Sequence, residues 1–341
     1  MSQQFASDNN AGICPPALDA LLRANAEGHA TGYGDDPWTD KACDRLRELF
    51  ETDCAVFFVF GGTAANALAL AQMCRSYHAV IAHAESHIAS DEAGAPGFFS
   101  GGAGLLTADT PLAKLTPAAV ETLATQGRGM HSLKPRALSL TQATEIGTIY
   151  GREELGALIQ VARRHDLEVH MDGARFANAV AALGCAPADI SWRAGVDILC
   201  FGGVKNGLAA GEAVLVFERK LAPEFEWRVK QAGQLNSKMR LVTAPWLGLI
   251  ESGAWLDNAR HANAMARRLI QAVAPAGVRL LAPVESNGVF LALAPDAQDR
   301  LRAKGWRFYP WGAGGCRLMC AWDTSPETVD RFAADLIAEL G

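Results

Sequence analysis

Residues 55–75 read AVFFVFGGTAANALALAQMCR. The first six form an unbroken apolar run of strand length. Two glycines and a threonine end it, and residues 62–75 follow as an alanine-rich stretch with Leu68, Leu70, Ala71 and Met73 in a helical pattern. A strand covered on both faces has no polar alternation, so an apolar run, a glycine turn and a helix are the unit of a parallel sheet. The unit recurs outward along the chain. Residues 79–82 and 136–140 read as strands, and 152–165 as a helix with Leu155, Leu158, Ile159 and Ala162 on one face. Residues 167–171 form a strand running into Asp172, 175–183 a helix, and 196–201 and 213–217 two more strands. This alternation predicts an α/β domain with a mostly parallel sheet.

After Leu241 the rhythm changes. Residues 246–274 read as one long helix opened by Pro245. Strands are predicted at 278–281, 288–293, 306–309 and 316–321, with helices near 297–304 and 326–340. The chain therefore divides into a large domain over residues 1–245, N-terminal arm included, and a small α+β domain over 246–341.

Of 341 residues, 50% are apolar and 20% charged, the balance of a globular protein. With 31 basic and 37 acidic residues the net charge is −6, and no lysine or arginine run stands out. The electrostatic footprint of a nucleic-acid binder is missing. The eight cysteines include no Cys-x-x-Cys pair and no histidine cluster lies beside them. No metal site is expected, and most of them read as buried free thiols. Residues 1–11 are polar, and no apolar stretch approaches the roughly 20 residues of a membrane span. The expectation is a cytoplasmic chain without a membrane partner.

Four features fall at strand ends, where open α/β sheets bind ligands. Gly61-Gly62-Thr63-Ala64-Ala65-Asn66 opens a helix. Its small residues and helix N-terminus suit a phosphate, and equally suit an ordinary N-cap. Asp172 ends a strand with Arg175 three residues on, so both side chains can point at one site; Asp172 also reads as an N-cap. Lys205 stands in the glycine-rich Gly202-Gly203-Val204-Lys205-Asn206-Gly207 loop past another strand. A partly desolvated lysine there has a lowered pKa and a nucleophilic amine. His87, at a helix start, can stack on a flat ligand, move a proton or serve structure alone. A phosphate cup, a histidine, a strand-end aspartate and a lysine, in that order, make the set a pyridoxal-phosphate enzyme uses.

With these residues the sequence resembles the threonine aldolase family, a branch of the fold-type-I pyridoxal-phosphate enzymes. The likeness runs over essentially the whole chain. Ala6-Ser7-Asp8-Asn9 resembles the family's N-terminal Ser-Asp motif, and Gly32-Tyr33-Gly34-Asp35-Asp36-Pro37 its Tyr-Gly-Asp-Asp-Pro signature. Gly62 and Thr63 through Asn66 match the phosphate turn, His87 with Glu92-Ala93-Gly94 the stacking histidine, Asp172-Gly173-Ala174-Arg175 the Asp-Gly-Ala-Arg core, and Lys205 the Schiff-base lysine. The resemblance implies an aspartate-aminotransferase-like fold and pyridoxal 5′-phosphate as cofactor. It implies cleavage of threonine, allo-threonine or a related β-hydroxy-α-amino acid, with phenylserine among the candidates, to glycine and an aldehyde. Ser7, Arg175 and Arg317 then hold the substrate carboxylate. His131 matches a second histidine near the β-hydroxyl, and either it, His87 or a held water is the base. Tyr33 reaches a neighbouring subunit's site, which implies a homo-oligomer, dimer or tetramer.

Two departures stand out. Ser139-Leu140-Thr141-Gln142-Ala143-Thr144-Glu145 stands where many members carry Glu-Asn-Thr-His, so that His is missing and Thr144-Glu145 is present, and Val204 precedes Lys205 where Thr or Ser is frequent. The alternative reading is a β-eliminating lyase on the same fold. A cysteine desulfurase needs a reactive thiol, for which Cys316 is the candidate. A non-enzymatic pyridoxal-phosphate binder can dispense with His87 and the carboxylate arginines.

Overall fold

Seven strands make the main sheet: β1 Ala55–Val59, β2 His78–His83, β3 Gly104–Ala108, β4 Lys134–Thr141, β5 Glu168–Gly173, β6 Ile198–Phe201 and β7 Glu212–Val216. They come from a computed structural model that describes residues 4–340. Their order is β1-β7-β6-β5-β4-β2-β3. Neighbours pair in parallel except at β7, which runs antiparallel to both β1 and β6. The carboxyl ends of six strands thus share one edge, and β7 starts there: Glu212 pairs with Val59, the last residue of β1. On the same edge Asp172 lies between Thr141 of β4 and Cys200 of β6.

The helices cover the sheet as their sequences dictate. Gly62–Met73 is buried nearly all round, which its alanines permit. Arg152–Arg164 buries Leu155, Leu158, Ile159, Val161 and Ala162 on its predicted face, and Glu154 reaches back to the Gly151 amide at 2.7 Å. One core gathers around Phe50, Leu140, Phe176, Phe201, Trp246 and Trp255, a second around Phe5, Leu269, Val289, Trp306 and Phe332. The second is backed by the antiparallel sheet of β8 Gly288–Ala292, β9 Tyr309–Trp311 and β10 Gly315–Met319.

The single helix expected over 246–274 is two, Arg240–Glu251 and Ala254–Val273. Gly253 breaks it in the left-handed region (φ 77°) that side chains disfavour. Pro245 lies inside the first helix rather than opening it, because Trp246 is anchored in the core with its indole nitrogen on the Gly211 carbonyl at 3.1 Å. The chain passes from the first core to the second between Ala259 and Met265. The strand expected over 278–281 is a lone bridge from Leu280 to Leu291, and the one expected over 306–309 begins at Tyr309.

The N-terminal arm returns to the second core. Phe5 donates to the Arg307 carbonyl at 2.7 Å and accepts from the Met319 amide at 2.8 Å, which sets Ser7 and Asp8 beside the strand ends. All eight cysteines are free thiols. Among the described residues no helix is long and apolar enough to cross a membrane.

Candidate active site

Lys205 sits in the 3-10 turn Val204–Asn206 after β6. Its approach is paved by Gly202 and Gly203 because neighbouring atoms leave no room for more. A Cβ on Gly202 would lie 2.5 Å from the Ala174 carbonyl oxygen, and one on Gly203 2.5 Å from the Trp246 ring. The turn is held from below by Glu212, whose Oε2 accepts from the Gly203 amide at 2.5 Å, and by Asn206, whose side chain donates to the Trp255 carbonyl at 2.6 Å. Desolvation foremost, then the charge of Arg175, pulls the Lys205 ammonium below the ordinary lysine value. Its amine is thereby made available as a nucleophile.

Asp172 closes β5, almost fully buried. Its Oδ1 accepts from the Ala174 amide at 3.0 Å and its Oδ2 from the Asn66 amide group at 2.9 Å. The same Asn66 nitrogen donates to Glu92 Oε1 at 2.8 Å, and that oxygen lies 2.8 Å from His87 Nδ1. Four side chains from three parts of the chain are thus linked. The Glu92 hydrogen bond foremost raises the His87 pKa. Burial foremost raises that of Glu92.

The helix Gly62–Met73 points its N-terminus at this network. Gly61, its N-cap, offers no side-chain acceptor, and open space surrounds the position of a Cβ on Gly61 or Gly62. A cavity of about 320 Å³ lies between Gly62, Thr63, His87, Asp172, Lys205 and Glu212. A smaller one of about 50 Å³ shares Gly62, His87, Asp172 and Lys205 and adds Thr141, Glu145 and Arg175. An open anion cradle, a buried carboxylate for a ring nitrogen, an imidazole and a lysine amine on one cavity fit pyridoxal 5′-phosphate. A wider groove of about 930 Å³ around Arg75, Lys134 and Arg136 lies at the opposite, amino ends of β2 and β4.

Arg175 lies on the wall of the smaller cavity. Asp8, fully buried, grips Arg175 two-pronged, Nε to Oδ2 at 2.7 Å and Nη2 to Oδ1 at 2.9 Å, and Asn287 adds a hydrogen bond at 3.0 Å. Burial acts to raise the Asp8 pKa, but Arg175's charge and hydrogen bonds hold it below the ordinary value. Arg317 of β10 donates to the Ala6 carbonyl at 3.2 Å, stacks 5.1 Å above the Tyr309 ring, and keeps a buried Nε without a partner. Ser7 caps the short turn after it, accepting from the Asn9 amide at 3.1 Å.

The structure therefore brings together Gly62, Thr63, His87, Asp172, Arg175 and Lys205 around the two cavities. Ser7, Tyr33, His131 and Arg317 line neither, although Arg317 feels the charges of Arg175 and Asp8. Tyr33 is exposed, with the Lys230 ammonium 4.6 Å over its ring. His131 is exposed on the turn Gly129–His131 ahead of β4. Eight strand residues, about 26 Å of β4, separate that end from Thr141 at the site. The sequence motifs contain Asp8, Asn66 and Glu92, and the departing segment contains Glu145, without marking what any of them touches; Glu212 stands in none of them. Glu212 carried a signal, an acid opening an otherwise apolar strand, EAVLV.

Comparison with known proteins agrees with this geometry. The β-eliminating lyase family model matches residues 4–295. A low specificity L-threonine aldolase of Pseudomonas sp. is 55% identical over 99% of this chain and 98% of its own. A threonine aldolase structure from Leishmania major superposes with a TM-score of 0.93 at 31% identity, covering 99% of each chain. The aspartate aminotransferase of Thermus thermophilus shares the fold, with a TM-score of 0.74 at 16% identity over 99% of this chain and 91% of its own. The chain belongs to the β-eliminating lyase family of fold-type-I pyridoxal-phosphate enzymes, in its threonine aldolase branch.

Proposed function

We propose that this chain uses pyridoxal 5′-phosphate to cleave L-threonine, L-allo-threonine and related β-hydroxy-α-amino acids, phenylserine among them, into glycine and an aldehyde. The observation that carries the reading is one cavity holding the Lys205 amine, the Asp172 carboxylate and the open helix start at Gly62, with Arg175 on the wall of the smaller cavity beside it. The 55% identical Pseudomonas aldolase supports it over the β-eliminating alternative. Burial pushes the Cys316 thiol up to about 12, which leaves no thiolate for sulfur transfer.

When bound, pyridoxal 5′-phosphate accepts the electron pair of the bond broken at the substrate's α-carbon. Lys205 supplies the amine that carries it. Asp172, steadied by Asn66, holds a proton on the pyridine nitrogen. The amides at Gly62 and Thr63 would hold the cofactor's phosphate, and His87, on the same cavity, would contact its ring. Ser7, Arg175 and Arg317 fix the substrate carboxylate, which selects the bond that breaks. Orientation of this kind is worth about 7–11 kcal/mol.

The working form is a cytoplasmic homo-oligomer, dimer or tetramer, in which Tyr33 and His131 of one subunit serve the site of another. Phe60, Phe98 and Met130 are large apolar side chains left exposed on the single chain, which supports their cover by a second copy.

The test is a panel of threonine, allo-threonine and phenylserine in both stereoseries, read for aldehyde and glycine. Lys205→Ala is expected to lose turnover and the visible absorbance of the bound cofactor. Pyruvate and ammonia from serine, with no aldehyde from threonine, would establish the eliminating lyase instead.

A further inference from the structure

The segment that departs from the family pattern, Thr141 to Glu145, is the one that reaches into the site. It leaves β4 at Thr141 and folds back in a tight turn, in which Thr144 and Thr148 exchange a hydroxyl contact at 2.7 Å and the Thr144 amide donates to the Thr148 carbonyl at 2.9 Å. This turn presents Glu145 to the smaller cavity beside His87, Asp172, Arg175 and Lys205. Its Oε1 accepts from the His87 backbone amide at 2.8 Å. The carboxyl group is therefore locked to the residue proposed to contact the cofactor ring, on the wall it shares with Arg175.

Within this chain the two histidines named as base candidates are placed less directly for the task than Glu145 is. His87 Nδ1 is bound to Glu92 at 2.8 Å, and His131 lies at the far end of β4 in its own chain. We infer that Glu145 is a catalytic residue that takes the proton of the substrate's β-hydroxyl during cleavage, an inference that rests on the aldolase reading above. The step balances. The O–H bond breaks and its proton passes to the Glu145 carboxylate; the O–H electron pair becomes the second bond of the aldehyde carbonyl. The Cα–Cβ bond breaks and leaves its pair at the α-carbon. One proton leaves oxygen and one arrives on the α-carbon as glycine forms, so the net reaction releases none.

The surroundings suit the task. Burial foremost, then the nearby Asp172 charge, pushes the Glu145 carboxyl up to about 7, while hydrogen bonds from the His87 amide and Thr141 pull the other way. The charged and titratable groups facing it are Asp172 from β5, Arg175 and Lys205 from the turns beyond β5 and β6, the His87–Glu92 pair, and Tyr150 behind. A base poised near the working pH transfers protons best in both directions. As a base Glu145 must be ionised, so the rate should rise with pH through about 7.

Glu145→Gln tests this, since glutamine keeps the oxygen that holds the His87 amide and cannot accept the proton. Expected are a kcat on threonine about 10²–10⁴-fold lower, KM within about threefold, and loss of the acid limb of the pH–rate profile. Two readouts need no turnover. Absorbance titration of the cofactor-free chain with pyridoxal 5′-phosphate should give the same affinity for both proteins. Infrared difference spectra should show a carboxyl carbonyl band titrating near pH 7 in the wild type and missing in the variant. A variant that keeps its rate and acid limb, an infrared band that persists, or a variant that no longer takes up the cofactor each overturns the proposal. A wild type that leaves threonine uncleaved sinks the aldolase reading itself, and this inference with it.

Discussion

The two ends of the site treat buried carboxyl groups in opposite ways. Around the cofactor cavity stand Glu92, Glu145 and Glu212, hydrogen-bonded to amides, a hydroxyl and an imidazole. Among the described residues none of the three has an arginine in hydrogen-bond contact. Burial pushes all three upward, Glu145 and Glu212 to about 7. At the substrate end Asp8 is just as buried, yet the two-pronged grip of Arg175 holds it below the ordinary value. The same group under comparable desolvation shifts in opposite directions, and the partner decides. One end is thereby fitted to hold and move protons. The other keeps fixed charges, which suits the carboxylate-orienting role proposed for Arg175.

Neutralising Asp8 should do the most damage. Asp8→Asn strands the buried Arg175 guanidinium, and removing one partner of a buried pair costs about 3–5 kcal/mol. Glu212→Gln keeps an acceptor for the Gly203 amide and should cost less than about 1.5 kcal/mol at neutral pH. Unfolding midpoints in urea compare the two, and equal losses would break the contrast. The pH dependence should differ in sign as well. The folded pKa of Glu212, about 7, lies above the ordinary 4.5. The unfolded state then releases its proton first, so stability falls as pH rises from 4.5 to about 7 and levels off beyond. Asp8, held below 3.8, contributes fully above that value and loses its contribution as pH falls through the lower folded pKa. Glu212→Gln should flatten the first slope, by on the order of 1–3 kcal/mol, and Asp8→Asn the second.

What the sequence disclosed of this site was its local part. Lys205, Asp172 and Gly62 each end or follow an apolar run, and a strand-to-turn transition is visible in a few adjacent residues. The grip of Asp8 on Arg175 joins residues 167 apart, and nothing local marks it. Glu212 reaches the site only because β7 runs against its neighbours, and strand direction is a property of the whole sheet. The break at Gly253 was hidden by Pro245, the stronger local punctuation, which the packing of Trp246 overrides. Glu145 was visible as a departure from the family pattern. Its contact with His87 spans 58 residues.

At the substrate end Arg317→Lys makes a subtler change. Lysine keeps the charge but loses the planar fork and the stacking on Tyr309. With Arg175 already gripped by Asp8, the unpartnered Nε–H of Arg317 is proposed as a donor to the substrate carboxylate. A KM raised about tenfold, worth about 1.4 kcal/mol, with kcat changed much less, is expected from steady-state kinetics. Loss of kcat with KM unchanged would place Arg317 in the proton-handling end instead.

The smallest effect on stability should come from His131, exposed and far from its own chain's cavity. His131→Ala should move the unfolding midpoint by less than about 0.5 kcal/mol and still lower kcat, because the proposed oligomer brings this histidine to a neighbour's site. Mixing separates the two possibilities. His131→Ala subunits retain Lys205, and Lys205→Ala subunits retain His131, so each pure protein has defective sites throughout. In a 1:1 mixture refolded together, half the dimers are hybrids by chance, and each hybrid has one site with both residues intact. Roughly a quarter of wild-type activity should then return, as expected when a two-fold interface shares its sites. If the mixture stays at the level of its parents, His131 does not act across the interface.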